Sequence, residues 1–126
     1  GEIPGQPAAP AAPLDPADFS ACSPLFAGGN TTIAVVATDA ALGRNGCRRF
    51  AIMAQDGLAR AIRPAHTPFD GDTVFALSTG GGAKADAARL ARLGAVAADC
   101  LARAVMRAVI AADPLGGYPN WRQQWG

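Results

Sequence analysis

A chain of 126 residues, half of them hydrophobic, can bury one modest core: one domain, or one subunit's share of something larger. Eleven basic and ten acidic residues leave a net charge of +1, and the basic ones are scattered, which excludes the concentrated positive face of a nucleic-acid binder. No apolar run approaches the ~18–20 residues of a membrane span, and the first residues lack the basic start and apolar core of a signal peptide. Three cysteines, Cys22, Cys47 and Cys100, stand far apart with no CxxC spacing. They argue against a disulfide framework and against a zinc site, and leave a reducing cytoplasm as the default location.

Pro4, Pro7, Pro10, Pro13, Pro16 and Pro24 crowd the first 24 residues among alanine, glycine and short polar residues. With no apolar period, residues 1–30 read as an extended tail or linker, and the folded part, 31–126, begins close to Gly28-Gly29-Asn30. Thr32 to Thr38 is a β-branched apolar run whose near-continuous hydrophobicity suits a strand covered on both faces. Leu42 to Ile62 carries Phe50, Met53, Ala54, Gly57, Leu58 and Ala61 at helical spacing, and Pro64 ends that helix. Thr73 to Ser78 reads as a second buried strand, broken by Gly80-Gly81-Gly82. A helix from about Lys84 to Ala112 follows, with Leu90, Leu93, Ala97, Leu101, Ala104 and Ala108 on one face and Asp99 spaced to pair with Arg103.

The order strand, helix, strand, helix predicts an α/β layer. Two strands and two helices cannot cover both faces of a sheet, so a partner is expected, either more chain or another subunit.

Two places have chemistry. At Gly28-Gly29-Asn30-Thr31-Thr32 a hydroxyl residue starts a buried strand. This is either a plain linker entering a strand or a cleavage junction. In the second case Thr31 attacks the carbonyl of Asn30, and the freed α-amine, with a pKa near 8, serves as base for its own hydroxyl. Asp70-Gly71-Asp72 is either a solvated turn or a pair of carboxylates two residues apart on one face of an extended segment. In the pair, mutual repulsion separates the two titrations and leaves one a proton carrier. His66, the single histidine, sits in a proline-flanked loop and reads as structural or exposed. Gly80-Gly81-Gly82-Ala83-Lys84 fails the phosphate-loop pattern, because Ala83 precedes the lysine and Ala85 follows it. Tyr118, Trp121 and Trp125 either dock the C-terminal segment onto a neighbour or pack locally.

Three ordered blocks, Asn30 to Ala40, Met53 to Pro64 and His66 to Leu77, closely resemble the C-terminal part of the DmpA-like family of L-aminopeptidase/D-esterases, β-peptidyl aminopeptidases and nylon-oligomer hydrolases. The resemblance implies a precursor that cuts itself into an α and a β chain within a four-layer αββα sandwich. Thr31 matches the family's N-terminal nucleophile, with the cut between Asn30 and Thr31. Asp70 and Asp72 match the paired acidic positions of the threonine-type nylon-oligomer hydrolases; aminopeptidase members carry serine and glutamate there.

Residues 1–30 would then be the end of the α chain, and 31–126 the β-chain portion. No metal or organic cofactor is implied. The implied partners are the α portion of the same precursor, further copies in a homo-oligomer of αβ units, and a peptide or small amide as substrate, with neither nucleic acid nor membrane. The family's α part, which supplies an oxyanion-stabilising asparagine, is not in this sequence, so the chain is expected to be inactive alone. Gly43-Arg44-Asn45-Gly46-Cys47 departs from the family's lysine- and alanine-rich helix start. Two other readings remain beside the hydrolase: an acyltransferase of the related fold group, and a non-catalytic structural fragment whose junction goes unused.

Overall fold

A computed structural model describes residues 31–125. The tail expected over 1–30, with Cys22 and Asn30, lies outside the described residues. The elements are β1 (Ile33–Thr38), α1 (Arg44–Ala61), β2 (Thr73–Ser78), α2 (Ala87–Ala111) and the short α3 (Trp121–Trp125), a mixed α/β arrangement.

β1 and β2 are parallel, paired from Ile33↔Thr73 to Thr38↔Ser78. Parallel neighbours cannot be joined by a tight turn, and α1 is the crossover between them. Alternation along both strands divides the sheet into two faces. Val36 is buried, and Val74 and Ala76 are half-buried, against Phe50 and Ala54 of α1 and Ala97 of α2. On the other face Ile33, Val35, Phe75 and Leu77 are between 54% and 70% exposed. The strands, expected to be covered on both sides, are therefore covered on one. Two layers are present, one sheet and one sheet of helices.

α1 buries Phe50, Ala54, Gly57 and Leu58, the stripe its spacing predicts. It begins at Arg44 rather than Leu42, because the Leu42 amide is bound by Ser78 Oγ at 3.2 Å and Gly43, the N-cap, is extended. It ends at Ala61, and Ile62 is already extended, ahead of the proline.

α2 begins at Ala87, where the Asp86 carboxylate accepts the amide of Arg89 at 2.7 Å. Its buried residues are Gly94, Ala97, Ala98, Leu101 and Ala102; Ala104 and Ala108, expected on the core face, are exposed. The cause is a close helix–helix approach. A Cβ on Gly57 would lie 2.4 Å from the carbonyl oxygen of Ala98 and 2.9 Å from Cβ of Leu101, so α2 turns its small residues toward α1. The same rotation brings Asp99 to Arg60 of α1, an exposed ion pair, in place of the expected Asp99–Arg103 pair.

Asn120 and Gln123 cap α3 reciprocally. No residue of α3 is buried, and Tyr118 is exposed. Among the described residues, no helix is long and apolar enough to cross a membrane.

Candidate functional site

The parallel register sets the starts of β1 and β2 side by side. Two residues upstream of the Ile33↔Thr73 pair stand Thr31 and Gly71. A Cβ built on Gly71 would lie 2.6 Å from Thr31 Oγ1 and 3.4 Å from its Cγ2, so the threonine side chain occupies the space that glycine leaves.

Thr32 is fixed on both sides of its peptide plane. Its carbonyl accepts the amide of Thr73 at 2.9 Å, and its own amide donates to Asp72 Oδ1 at 3.0 Å. The Asp72 carboxylate is 5% exposed, and its second oxygen stands 3.3 Å from Nδ1 of His66. A carboxylate this deep needs partners at both oxygens, and the described residues supply one to each.

Asp70 is placed differently. Its Oδ2 accepts the amide of Thr67 at 2.7 Å, while its own amide donates to the Thr67 carbonyl at 3.0 Å, closing the turn 67–70. The structure thus brings Thr31, Gly71, Asp72 and His66 into one corner, with Asp70 half-buried at its edge and holding the approach loop. Asn30, the other half of the expected junction, lies outside the described residues.

His66 is the residue that sequence reasoning left aside. Its backbone is left-handed, with φ at 59°, a region uncommon for side-chain-bearing residues, though histidine, asparagine and aspartate enter it most readily. Its ring stands next to Asp72. The signal available in the sequence was its place as the one histidine, in the loop leading into the acidic pair.

The glycine run lies at the opposite end of the sheet, about 20 Å away at the usual rise per strand residue. There Ser78 Oγ donates to the Ala40 carbonyl at 2.7 Å and accepts the Leu42 amide at 3.2 Å, and Gly82 packs against the Asp39 carbonyl. These residues bind the two strand ends together, as a strand-to-helix connection should. Among the described residues, no group of three or more histidine, cysteine, aspartate or glutamate side chains is placed to hold a metal ion. Cys47 and Cys100 are free thiols.

The corner thus holds a hydroxyl over a glycine, one residue from an amide bound by a carboxylate that an imidazole adjoins. Comparison with known proteins places the chain in a family. The sequence model of peptidase family S58 matches residues 3–122. An uncharacterised aminopeptidase of Mycobacterium tuberculosis is 52% identical over 107 residues, covering 76% of this chain and 31% of the relative. One from Mycobacterium leprae is 54% identical over 103 residues, covering 73% and 28%. A 6-aminohexanoate-oligomer endohydrolase of Paenarthrobacter ureafaciens is 38% identical over 56 residues, covering 44% and 16%. The chain therefore spans less than a third of the curated relatives it matches. With the family model matched along nearly its whole length, the chain belongs to peptidase family S58, the DmpA-like family that its three sequence blocks resemble.

Proposed function

We propose that this chain is the C-terminal part of a self-processing amide hydrolase of the N-terminal-nucleophile type, with Thr31 as its nucleophile. In processing, Thr31 Oγ attacks the carbonyl carbon of Asn30. The C–N bond breaks, the departing nitrogen takes up a proton as the α-amine of Thr31, and Asn30 is held as an ester. Water hydrolyses the ester, leaving a carboxylate on Asn30 and a free amine beside the hydroxyl. In turnover, that amine accepts the hydroxyl proton as Oγ attacks a substrate amide, then returns it to the leaving amine. Water cleaves the acyl-enzyme. Asp72 holds the backbone next to the nucleophile, and Asp70 holds the loop from which Asp72 projects; both set the protonation of the hydroxyl and amine.

The observation that carries this reading is the seating of Thr31 Oγ1 in the space above Gly71, one residue from the Asp72–Thr32 hydrogen bond. The printed names of the relatives, aminopeptidase and amide-oligomer endohydrolase, support an amide bond in a peptide or short oligomer as the target. The remaining parts are proposals of the same reading. An α portion of the precursor supplies the oxyanion donors, each worth ~10²–10³ in rate, so the chain alone is inactive. A second sheet covers the bare face of Ile33, Val35, Phe75 and Leu77, completing an αββα sandwich, and the αβ units assemble further.

Intact-mass analysis of the full-length precursor tests the reading. Two chains divided between Asn30 and Thr31, and one uncut chain for Thr31→Ala, are expected. A precursor that stays whole while hydrolysing amides, or a Thr31→Ala variant that is cut and active like the parent, overturns it.

A further inference from the structure

We infer that His66 is a positioning residue for the reaction at Thr31, acting through Asp72; this rests on the reading of Thr31 as the nucleophile. Three observations join. The carboxylate of Asp72 is 5% exposed, with one oxygen 3.3 Å from His66 Nδ1. The other oxygen takes the amide of Thr32 at 3.0 Å, the residue joined directly to the nucleophile. His66 itself is held at φ 59°, a costly conformation for most residues, at the position from which its ring meets Asp72.

The arrangement is a relay of position. The contact at Oδ2 sets a ring nitrogen against a carboxylate oxygen at 3.3 Å, a pairing in which the nitrogen is the side able to donate. With a partner on each oxygen the carboxylate cannot rotate about its Cβ–Cγ bond. The Thr32 amide is then held at a fixed point, and the hydroxyl one residue upstream with it. Without His66, one anchor remains and the group swings. The imidazole is 36% exposed in its side chain, and the contact it makes is with Asp72.

The left-handed backbone supplies a discriminating set of substitutions. Asparagine tolerates that conformation and places an amide NH₂ close to where Nδ1 stands. Aspartate has the same shape and the same tolerance but no donor, and sets a like charge against Asp72. Glycine accepts the conformation with no side chain at all. In the full-length precursor, cutting at Asn30–Thr31 is followed by intact mass, and turnover of amino-acid p-nitroanilides and 6-aminohexanoate oligomers by kinetics. Thermal melting checks that each variant is folded.

His66→Gly and His66→Asp are expected to slow cutting and kcat by about tenfold or more with KM little changed, as a misplaced reacting group does. His66→Asn is expected to restore both to within about threefold of the parent, a rescue that a merely structural role would not give. Parental rates in His66→Asp, or His66→Asn as slow as His66→Asp, overturn the assignment; the Asp variant keeps the test decisive should the Gly variant melt early. Thr31→Ala separates the two ideas. If it too is cut, the reading of Thr31 has failed; if it stays whole while the His66 variants behave as the parent, only the role of His66 has.

Discussion

Thr31 Oγ1 occupies the position over Gly71 that any larger residue would fill: a Cβ there would approach it to 2.6 Å. The backbone at Gly71 is not among the left-handed glycines, which are Gly80, Gly116 and Gly117, so room rather than conformational freedom is what glycine provides. Gly71→Ala is expected to leave the melting midpoint nearly unchanged, because the threonine side chain can rotate away. Self-cleavage and kcat should fall by about 10²-fold, since a displaced nucleophile loses its line of attack. Melting curves beside single-turnover kinetics on the full-length protein check both halves.

The two aspartates should answer differently to mutation. Asp72→Ala removes the acceptor of the Thr32 amide and the partner of His66, and is expected to cost about 1–3 kcal/mol of stability as well as the reaction. Asp72→Asn keeps a carbonyl oxygen for Thr32, so it should retain more stability than the alanine variant while still losing rate. Asp70→Asn keeps an acceptor for the Thr67 amide and should cost less than about 1 kcal/mol. Chemical denaturation and intact mass, run on the same samples, separate support of the fold from support of the chemistry.

The bare sheet face gives a prediction for the chain by itself. Ile33, Val35, Phe75 and Leu77 form an apolar surface on β1 and β2, and such surfaces bind apolar dyes and self-associate. Residues 31–126 expressed alone should bind an anilinonaphthalene dye and sediment as aggregates. Val35→Thr with Phe75→Thr should reduce both effects. In the full-length protein the same pair should lower the melting midpoint, because each apolar side chain buried there is worth about 1.5–3 kcal/mol.

Gly57→Ala tests the contact between the helices. Alanine is the better helix former by about 1 kcal/mol, yet its methyl would meet the Ala98 carbonyl at 2.4 Å. Backbone cannot step aside as a flexible side chain can, so α1 and α2 must separate. A net loss of about 1–3 kcal/mol is expected. A melting midpoint raised by the substitution would show that the helices are less tightly apposed than described.

What could be read in advance follows the range of the forces involved. β1 and β2 were legible because β-branched apolar runs bounded by glycine and aspartate are local signals, and the stripe of α1 because Phe50, Ala54, Gly57 and Leu58 repeat at helical spacing. The core face of α2 was misjudged at Ala104 and Ala108. Its rotation depends on Gly57 meeting Ala98, a contact between residues 41 positions apart. The Asp99–Arg60 pair escaped for the same reason, since spacing along one helix says nothing of a neighbouring helix. The acidic pair was visible as a motif, but its division of labour was not: a turn at 67–70 draws Asp70 toward Thr67, while the strand register leaves Asp72 to Thr32. His66 was invisible as a partner because its contact with Asp72 joins residues six positions apart through a loop with a left-handed backbone angle, which no local pattern announces. Continuous hydrophobicity in the strands led to the expectation of cover on both faces, and the described residues cover one.

The pairing of Ile33 with Thr73 has an outcome that extends beyond the fold. Residues 31 and 71 stand the same number of steps ahead of that pair, so the spacing between the threonine and the glycine beside it is measured out by the main-chain ladder, which acts as a ruler. Side chains farther along either strand do not enter that spacing, so substitutions there leave the corner's backbone dimensions as they are.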